Sequence, residues 1–498
     1  MPDGTQRAGS VAPHDDAVSV RAQKADLPFY ANRIKVYPQR VRGPVRRVKW
    51  AVLGFCLGLY YIIPWLRWDR GPGMPDQMVL IDLPGRRAYF LWIEIWPQEV
   101  YFLTGLLILG AISLFLVSSL FGRLWCGYAC PQTVWTDLFM WVERLIEGDR
   151  NARMKLDRQP WSAGKLARKA AKHTAWLGIA VATGGAWVMY YADAPTTLRA
   201  MFAGTASVEL YFFVGLFTAT TYLLAGWARE QVCTYMCPWP RFQAAMLDEN
   251  SIIVAYRAWR GEPRGSHKAG ESWADRGDCV DCRQCIAVCP TGIDIRDGQQ
   301  LECIGCGLCV DACNAVMDKV GRPLGLIAFD ALANQTALAA GKPPAYQFMR
   351  PRVAMYAVLL AAVSAVMLVA FLLRPMVELT VLRDRAPLFV TLSDGSIRNG
   401  YTVKILNKTR EAHRYALGVT GLNGSAVNAV RPSMTSGDGG ETVLDVQPDS
   451  VATYRVYVTA PRAALAGESM PVVFRLHDAE SAAEHASVFL GPNPLDKR

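Results

Sequence analysis

Five long apolar segments constrain this chain more than any other feature of its sequence. They cover approximately residues 50–66, 100–121, 174–192, 208–227 and 353–373, and each is long enough to cross roughly 30 Å of hydrocarbon as a helix. Backbone groups inside a bilayer must be hydrogen-bonded within the protein, so such segments fold as helices. The hydrophobic share of 52% against 19% charged residues is typical of membrane proteins. The sequence therefore predicts a five-helix α-helical transmembrane domain.

The distribution of Lys and Arg predicts how these helices are oriented. Segments 1–49, 122–173 and 228–352 carry ten, ten and fourteen Lys plus Arg, whereas segments 67–99 and 193–207 carry four and one. Loops rich in Lys and Arg stay on the cytoplasmic side. We therefore expect a bacterial inner-membrane protein with a cytoplasmic N-terminus and a periplasmic C-terminal region. This asymmetry explains the net charge of +10, so the lipid bilayer is the expected partner and no nucleic acid is predicted.

Eight cysteines between residues 279 and 313 form two runs with the spacing of bacterial two-cluster ferredoxins. Each run reads C-x2-C-x2-C-x3-C, and in this pattern the fourth cysteine of one run binds the other cluster. The predicted ligands of the first [4Fe–4S] cluster are Cys279, Cys282, Cys285 and Cys313. Those of the second cluster are Cys303, Cys306, Cys309 and Cys289.

Structural zinc sites also use C-x2-C pairs, so they are the alternative for this segment. A third cysteine at the x2 spacing and a fourth at x3, followed by Pro290, favour two [4Fe–4S] clusters. The segment contains no evident substrate pocket. The predicted function of this segment is therefore electron transfer.

A second cysteine pattern is repeated after two of the predicted spans. The motif C-x-Y-x-C-P contains Cys126 and Cys130 after the second span, and Cys233 and Cys237 after the fourth. If these segments are helical, the two cysteines of each motif share one face and the proline ends or kinks the helix. Four thiols would then meet at the membrane surface, where sulfur ligands select Cu(I), zinc or an iron–sulfur cluster. Inert buried cysteines are the alternative, and the choice between metal ligation and thiol redox chemistry stays open.

Other reactive residues do not add a site. Cys56 stands alone in the first span and is interpreted as a packing residue. None of the six histidines lies within a span, so no haem between helices is predicted. The chain has no Walker motif and no G-x-G-x-x-G fingerprint, which argues against ATP and nicotinamide chemistry.

Residues 376–498 have the pattern of an immunoglobulin-like β-sandwich. Runs rich in β-forming residues at 377–382, 401–406, 454–458 and 472–476 are separated by the turn signals Asp394-Gly395, Asn399-Gly400 and Asn423-Gly424. The predicted organisation is a basic cytoplasmic tail (1–46), a four-helix transmembrane domain with the duplicated motif (47–257), an α+β ferredoxin-like domain (258–330), a connector with the fifth helix (331–375) and a periplasmic Ig-like domain (376–498).

The order of these motifs resembles the cytochrome c oxidase accessory protein family CcoG, also called FixG or RdxA. The resemblance rests on the duplicated C-x-Y-x-C-P, on residues 289–296 (CPTGIDIR) and 302–309 (ECIGCGLC), and on residues 397–401 (IRNGY) in the exterior domain. It implies reduction of Cu(II) to Cu(I) during maturation of a cbb3-type oxidase. Under this resemblance, Cys126, Cys130, Cys233 and Cys237 would be copper-binding or redox thiols. Oxidase subunits or copper-delivery proteins would be partners, and the electron donor is unidentified.

Two other functions stay open from the sequence. One is an electron-relay subunit of a quinol-linked respiratory enzyme, which a quinone-reactive phenotype would favour. The other is a non-redox scaffold whose exterior sandwich holds assembly intermediates. Full function after loss of the clusters would favour the scaffold.

Overall fold

A computed structural model describes residues 35–71, 73–267, 270–344, 346–430, 442–479 and 481–492 of the protein. The described residues up to Met367 form one unit, and those from Leu368 onward form a second. Of the predicted basic tail 1–46, residues 1–34 lie outside the described part of the chain.

Each of the five predicted spans overlaps an α-helix. In chain order the α-helices are α1 (Pro44–Ile62), α2 (Val100–Phe121), α3 (Leu124–Tyr128), α4 (Pro131–Glu147), α5 (Arg150–Arg158), α6 (Ala163–Val188), α7 (Ala194–Ala203), α8 (Val208–Thr221), α9 (Trp239–Met246), α10 (Ala258–Gly261), α11 (Gln284–Ala287), α12 (Leu308–Lys319), α13 (Leu332–Ala339) and α14 (Pro351–Leu372). Two π-helical segments, Tyr222–Ala228 and Val232–Met236, follow α8.

Four segments of the described chain are long and apolar enough to cross a membrane: Pro44–Trp65, Pro97–Phe121, Val208–Ala228 and Pro351–Leu372. These helices associate the protein with a membrane. The predicted span 174–192 overlaps α6, a helix of 26 residues that ends at Val188, is not among these four and carries Lys and Arg in its first turns. The first span starts earlier than the predicted residue 50, because Arg46 and Lys49 are buried in ion pairs with Asp137.

Residues 67–99, which the sequence indicated only as a loop, contain a small antiparallel sheet. Strands β1 (Val79–Asp82), β2 (Arg87–Phe90) and β3 (Ile93–Ile95) pair in sequence order. The sheet is tied to the end of α6, since Ile81 N–H donates to the Tyr190 carbonyl at 2.8 Å. Strands of three or four residues are too short for their alternation to be recognised in the sequence.

The segment with the eight patterned cysteines is enclosed by two paired strands. Strand β4 (Ile253–Tyr256) pairs antiparallel with β5 (Ile327–Asp330). The segment therefore starts at the strand that precedes the predicted boundary at residue 258. It belongs to the same unit as the helices before it.

The second unit is an antiparallel sandwich of two sheets, which confirms the predicted Ig-like fold. Its strands are β6 (Val377–Arg383), β7 (Val390–Thr391), β8 (Ile397–Asn407), β9 (His413–Thr420), β10 (Ala426–Val430), β11 (Thr442–Val446), β12 (Ser450–Ala460), β13 (Ser469–His477) and β14 (Ala482–Leu490). One sheet has the order β10-β12-β8-β6 with β7 beside β8, and the other has the order β11-β9-β13-β14. Alternate residues of β8 face the core, as a period of two requires.

The predicted turn at Asn399-Gly400 is wrong, because both residues lie inside β8. The Asn399 side chain is buried, where it donates to the Leu490 carbonyl at 2.7 Å and accepts the Leu490 N–H at 3.1 Å. These two bonds satisfy a polar side chain that would otherwise favour a turn. At Asp394-Gly395 the turn is present, and Gly395 has a φ of +81°.

Candidate functional site

The eight patterned cysteines fall into the two groups that their spacing predicts. Cys289, Cys303, Cys306 and Cys309 line one cavity, and Cys285 of the first run lines it too. In the other group, burial raises the pKa of Cys313 to about 12, and the nearby thiols Cys282 and Cys279 add to that shift. Burial also raises the pKa of Cys285, and the nearby thiols Cys282 and Cys313 add to that increase. The structure thus brings Cys279, Cys282, Cys285 and Cys313 together.

Backbone N–H groups point at the sulfurs of these cysteines. Each donor lies two residues after the cysteine that it contacts: Gly305 for Cys303, Leu308 for Cys306 and Gln284 for Cys282. Gly305 and Gly307 have φ values of +68° and +70°, which glycine adopts without strain. Such N–H groups stabilise the negative charge of cluster sulfurs. The loops therefore fit two iron–sulfur clusters.

Iron–sulfur clusters and zinc ions differ in how they arrange four cysteine sulfurs. In the part of the chain that the structure describes, no group of three or more His, Cys, Asp or Glu side chains is arranged to hold a single metal ion. A zinc site would place four ligands at about 2.0–2.3 Å from one centre. In a [4Fe–4S] cluster the four cysteines bind four different irons, so their sulfurs stay farther apart.

In both C-x-Y-x-C-P motifs a helical segment ends before the second cysteine, although the segment is α-helical in the first copy and π-helical in the second. Helix α3 ends at Tyr128, and Cys130 is extended with φ −60° and ψ 128°. In the second copy, Cys237 is likewise extended, with φ −79° and ψ 123°. Proline disfavours the helical conformation of the residue before it, so the second cysteine of each motif leaves the helix. The condition for each pair to share one helix face, a helix that continues through both cysteines, is therefore not met.

The four motif cysteines nevertheless meet, and we call them the membrane thiols: Cys126, Cys130, Cys233 and Cys237. Burial raises the pKa of Cys126 and of Cys233 to about 12, and neighbouring membrane thiols add to both shifts. These two groups stay protonated at neutral pH unless a bound cation stabilises the thiolate. Cys126 Sγ also donates to Oε1 of Gln243 at 3.2 Å. Gln243 is buried on α9 and was not recognisable from the sequence.

The membrane thiols lie directly against the loop of the second cysteine run. Cys126 and Cys233 pack against the same apolar cluster as Cys306 and Cys309. A Cβ atom at Gly127 would lie 2.9 Å from Cα and 3.0 Å from N of Cys306. No side chain separates the two backbones at this point. The first motif is therefore in contact with the loop that carries predicted ligands of the second cluster.

The side chain of Arg123 forms hydrogen bonds across the contact between the first motif and the Cys306 loop. It is 8% exposed and donates from Nη1 to the carbonyls of Leu301 and Cys303, the latter at 2.9 Å. Its Nη2 donates to the Pro240 carbonyl at 2.7 Å. One guanidinium therefore joins the first motif, the cluster loop and the helix after the second motif. An arginine precedes both motifs, at Arg123 and Arg229, and this was the only signal of its role in the sequence.

A buried carboxylate joins the two motifs to each other. Glu143 lies on α4, which begins immediately after Cys130, and its side chain is 1% exposed. Its oxygens lie 2.9 Å from Nη2 of Arg229, 3.0 Å from Nη1 of Arg153 and 3.5 Å from Nζ of Lys172. Arg229 lies shortly before Cys233 in the second motif. Glu143 therefore fixes the distance between the two cysteine pairs.

Substituting Gly127 with alanine is expected to force the first motif away from the Cys306 loop. The new methyl group would collide with backbone atoms, and such overpacking costs about 1–3 kcal/mol of stability. Maleimide labelling mapped by mass spectrometry should show Cys126 reacting several-fold faster because its burial decreases. Gly110→Ala is the matched control, since a Cβ there meets nothing within 4 Å. Identical labelling of the two variants would contradict the contact.

Family models match three parts of the chain. A 4Fe-4S dicluster domain matches residues 228–332, and a 4Fe-4S binding domain matches residues 103–148. The model described as "IG-like fold at C-terminal of FixG" matches residues 367–492. The chain therefore carries iron–sulfur clusters, and the first C-x-Y-x-C-P motif lies inside a region that resembles cluster-binding domains.

Curated relatives cover nearly the whole chain. The nitrogen fixation protein FixG of Rhizobium meliloti is 50% identical over 475 residues, which is 90% of each chain. Proteins RdxA and RdxB of Cereibacter sphaeroides are 51% identical over 440 residues (87% of this chain and 91% of RdxA) and 50% identical over 472 residues (93% of this chain and 97% of RdxB). A solved FixG-related protein from Vibrio parahaemolyticus is 26% identical, covers 23% of this chain and 95% of its own, and has a TM-score of 0.20.

Proposed function

The chain belongs to the FixG family of membrane-associated iron–sulfur electron-transfer proteins, and we propose that it reduces Cu(II) to Cu(I) for the assembly of a cbb3-type cytochrome c oxidase. The observation that supports this function is the contact between the membrane thiols and the loop of Cys306. The two predicted [4Fe–4S] clusters, when bound, supply single electrons. One electron converts one Cu(II) ion to Cu(I).

The chemistry of the membrane thiols suits copper as a substrate. Thiolates prefer Cu(I), whereas Cu(II) prefers nitrogen and oxygen ligands, so four thiols favour the reduced product. Binding of copper replaces the proton on each thiol that ligates it, which releases that proton to water. Cys237 is exposed while the other three are partly buried, so copper would enter at Cys237.

The proposal includes a location and partners. The Lys and Arg distribution supports an inner-membrane protein with the N-terminus, membrane thiols and clusters in the cytoplasm and the Ig-like domain in the periplasm. Oxidase subunits or copper-delivery proteins would receive the Cu(I). The electron donor is a separate reductant.

Anaerobic copper reduction by the purified protein tests this function. The protein is reduced with dithionite, freed of excess reductant and mixed with Cu(II), and Cu(I) is followed with a chelator. Replacing Cys126, Cys130, Cys233 and Cys237 with serine is expected to slow Cu(I) formation at least about ten-fold, because serine is a poor Cu(I) ligand. Cys56→Ser is the matched control, because Cys56 lies on α1 outside both motifs. No Cu(I) from reduced, iron-loaded protein would disprove the proposal.

A cavity between the helices favours a second function, the relay of electrons from a membrane quinol. It has a volume of about 330 Å³ and mainly apolar and aromatic walls, including Tyr60, Trp135, Trp187 and Phe217. Small-molecule sites are commonly of this character, with roughly 300–1,000 Å³ and few polar groups. Replacing dithionite with a short-chain quinol tests this function, since bleaching of the clusters by the quinol would support it. Unbleached clusters would remove this candidate without affecting copper reduction.

The position of this cavity also supports a relay. Gln132 lines it and also lines a smaller cavity next to Cys233 and Thr291. Thr291 in turn lines the cavity of the second cysteine group. Three neighbouring cavities thus connect the space between the helices with the predicted second cluster.

A further inference from the structure

A larger cavity lies at the start of α1 and is lined mainly by cations. Its volume is about 780 Å³. Its lining residues include Trp50, Trp141 and Leu145, and none of the described ones is acidic. Half of the lining residues are arginines: Arg40, Arg42, Arg46, Arg47 and Arg144. Five like charges around one cavity repel each other unless an anion lies between them.

Two of these arginines, the buried Arg46 and the half-buried Arg144, each have a buried donor atom without a hydrogen-bond partner. Arg46 is 6% exposed, and its Nη1 binds Asp137 at 2.7 Å, but its Nη2 is buried without a hydrogen-bond partner. Nε of Arg144 is also buried without a partner. Asp137 is shared with Lys49 at 3.5 Å, so a single carboxylate serves two cations. Buried guanidinium N–H groups without acceptors are costly, which indicates a missing anion.

The electrostatics of Arg144 agree with this interpretation. Burial lowers its pKa to about 10, and the positive charges of Arg46 and Arg153 act in the same direction. The negative charges of Asp137 and Asp149 raise the pKa of Arg144, but they offset the decrease only in part. The protein alone therefore leaves excess positive charge at this place.

The other wall of the cavity is apolar and lies beside a membrane-crossing helix. Trp50 is on α1, its ring is 4.6 Å from the Arg46 guanidinium carbon, and it makes an edge contact with Trp141 at 6.1 Å. Trp141 and Leu145 on α4 are 45% and 71% exposed. Tryptophans beside clustered arginines at the end of a membrane span are typical of the interface between lipid headgroups and acyl chains.

We propose that this cavity binds the headgroup of an anionic phospholipid. The guanidinium groups of Arg46 and Arg144 donate to its phosphate oxygens, since the planar fork of arginine matches phosphate geometry. Trp141 and Leu145 contact the glycerol and the first acyl carbons. A free phosphate ion would use the arginines but leave this apolar wall exposed, so the lipid is the better occupant. The site is independent of the proposed copper chemistry.

The lipid would also stabilise the cluster segment. The backbone N–H of Arg46 donates to Asp311 at 2.7 Å, and the N–H of Val45 donates to the same carboxylate at 3.3 Å. Asp311 lies on α12 between the predicted ligands Cys309 and Cys313. A headgroup that holds the start of α1 therefore holds this helix in place as well.

Native mass spectrometry of the full-length, iron-loaded protein in neutral detergent tests the proposal. The protein is titrated with phosphatidylglycerol and, separately, with phosphatidylcholine. We expect phosphatidylglycerol to bind at least about ten-fold more tightly, because only its net negative charge offsets the arginines. Arg144→Gln should weaken this binding about ten-fold, as expected for loss of a charge-assisted hydrogen bond. Arg168→Gln, which removes an exposed arginine of α6, should leave it unchanged.

Three results would overturn the proposal. Equal affinity for the two lipids, or unchanged binding by Arg144→Gln, would show that the cavity does not recognise the lipid charge. Displacement of phosphatidylglycerol by millimolar inorganic phosphate would show that the site takes a free anion instead. If Arg144→Gln loses its iron, the triple variant Arg40→Gln, Arg42→Gln and Arg47→Gln replaces it, because these three exposed side chains supply most of the positive charge that lines the cavity and attracts the anionic headgroup. Unchanged lipid binding by the triple variant would then reject the site.

Discussion

Replacing Cys306 with alanine is expected to remove about half of the bound iron and to abolish copper reduction driven by dithionite. Cys306 is one of the four cysteines of the second group, all of which line the same cavity. Loss of one ligand leaves an iron of the [4Fe–4S] cluster without its thiolate, so about four of eight irons should be lost. Cys306 is also the residue whose backbone contacts Gly127 beside Cys126. Iron analysis and the Cu(I) chelator assay measure the two effects.

A substitution in the first cysteine group tests whether copper reduction depends on which of the two clusters is lost. Cys279→Ala should also lose about half of the iron, but it should keep dithionite-driven Cu(I) formation. Cys279 packs against Val254, Tyr256 and Met317, in a cluster that contains none of the membrane thiols. Cys56→Ala should leave both iron and rate unchanged. The reverse result, with Cys279→Ala inactive and Cys306→Ala active, would contradict the proposal that the second cysteine group is the one that delivers electrons to copper.

Replacing Glu143 with glutamine is expected to destabilise the first unit by about 3–5 kcal/mol. Removal of one partner from a buried ion pair leaves the other charge uncompensated. Here the change affects Arg153, Lys172 and Arg229 together. Because Arg229 shortly precedes Cys233, the variant should also label faster with maleimide at Cys233. Chemical unfolding in detergent and labelling measure the two effects.

The pH dependence of unfolding should change with the same substitution. Burial alone would raise the pKa of Glu143, but Arg229, Arg153 and Lys172 outweigh it and lower the pKa to about 2 from its ordinary 4.5. A carboxyl group with a lowered folded-state pKa stabilises the protein above its unfolded-state pKa. This contribution, about 3 kcal/mol for such a shift, is lost as pH falls from about 4.5 towards 2. In Glu143→Gln, the free energy of unfolding should not show this decrease as the pH falls, because glutamine does not titrate.

A matched control separates this effect from a general loss of charge. Glu271 also accompanies an arginine, Arg276 at 3.3 Å, but its side chain is 46% exposed. Exposed ion pairs contribute only about 0–1 kcal/mol, so Glu271→Gln should unfold almost like the wild type. Equal stability of the two variants would show that the buried charge cluster does not hold the cysteine pairs together.

Local patterns were sufficient to predict most of the fold. Hydrophobic length predicted the helices α1, α2, α8 and α14, because the bilayer imposes a minimum apolar run. Cysteine spacing predicted the two groups of four, because the loops between close ligands allow few geometries. Alternation predicted the core strands of the sandwich, although a buried Asn399 was mistaken for a turn signal.

The functional neighbours of the cysteines could not be predicted in the same way. Gln243 contacts Cys126 from 117 residues away, and Arg123 reaches Cys303 across 180 residues. Glu143 meets Arg229 only because α4 packs against the end of α8 and its π-helical continuation. No periodicity within a segment encodes such contacts, since they depend on how separate segments pack.

The sequence by itself determined the membrane helices, the predicted ligands of two clusters, the Ig-like sandwich and the family. All of these follow from short-range rules, namely apolar length, ligand spacing and strand alternation. Only the tertiary structure decided that the two C-x-Y-x-C-P motifs meet, that Gly127 touches Cys306 and that five arginines surround a cavity. The physical reason is that burial and charge pairing arise when distant segments pack. A pattern of residues along the chain does not specify which segments those are.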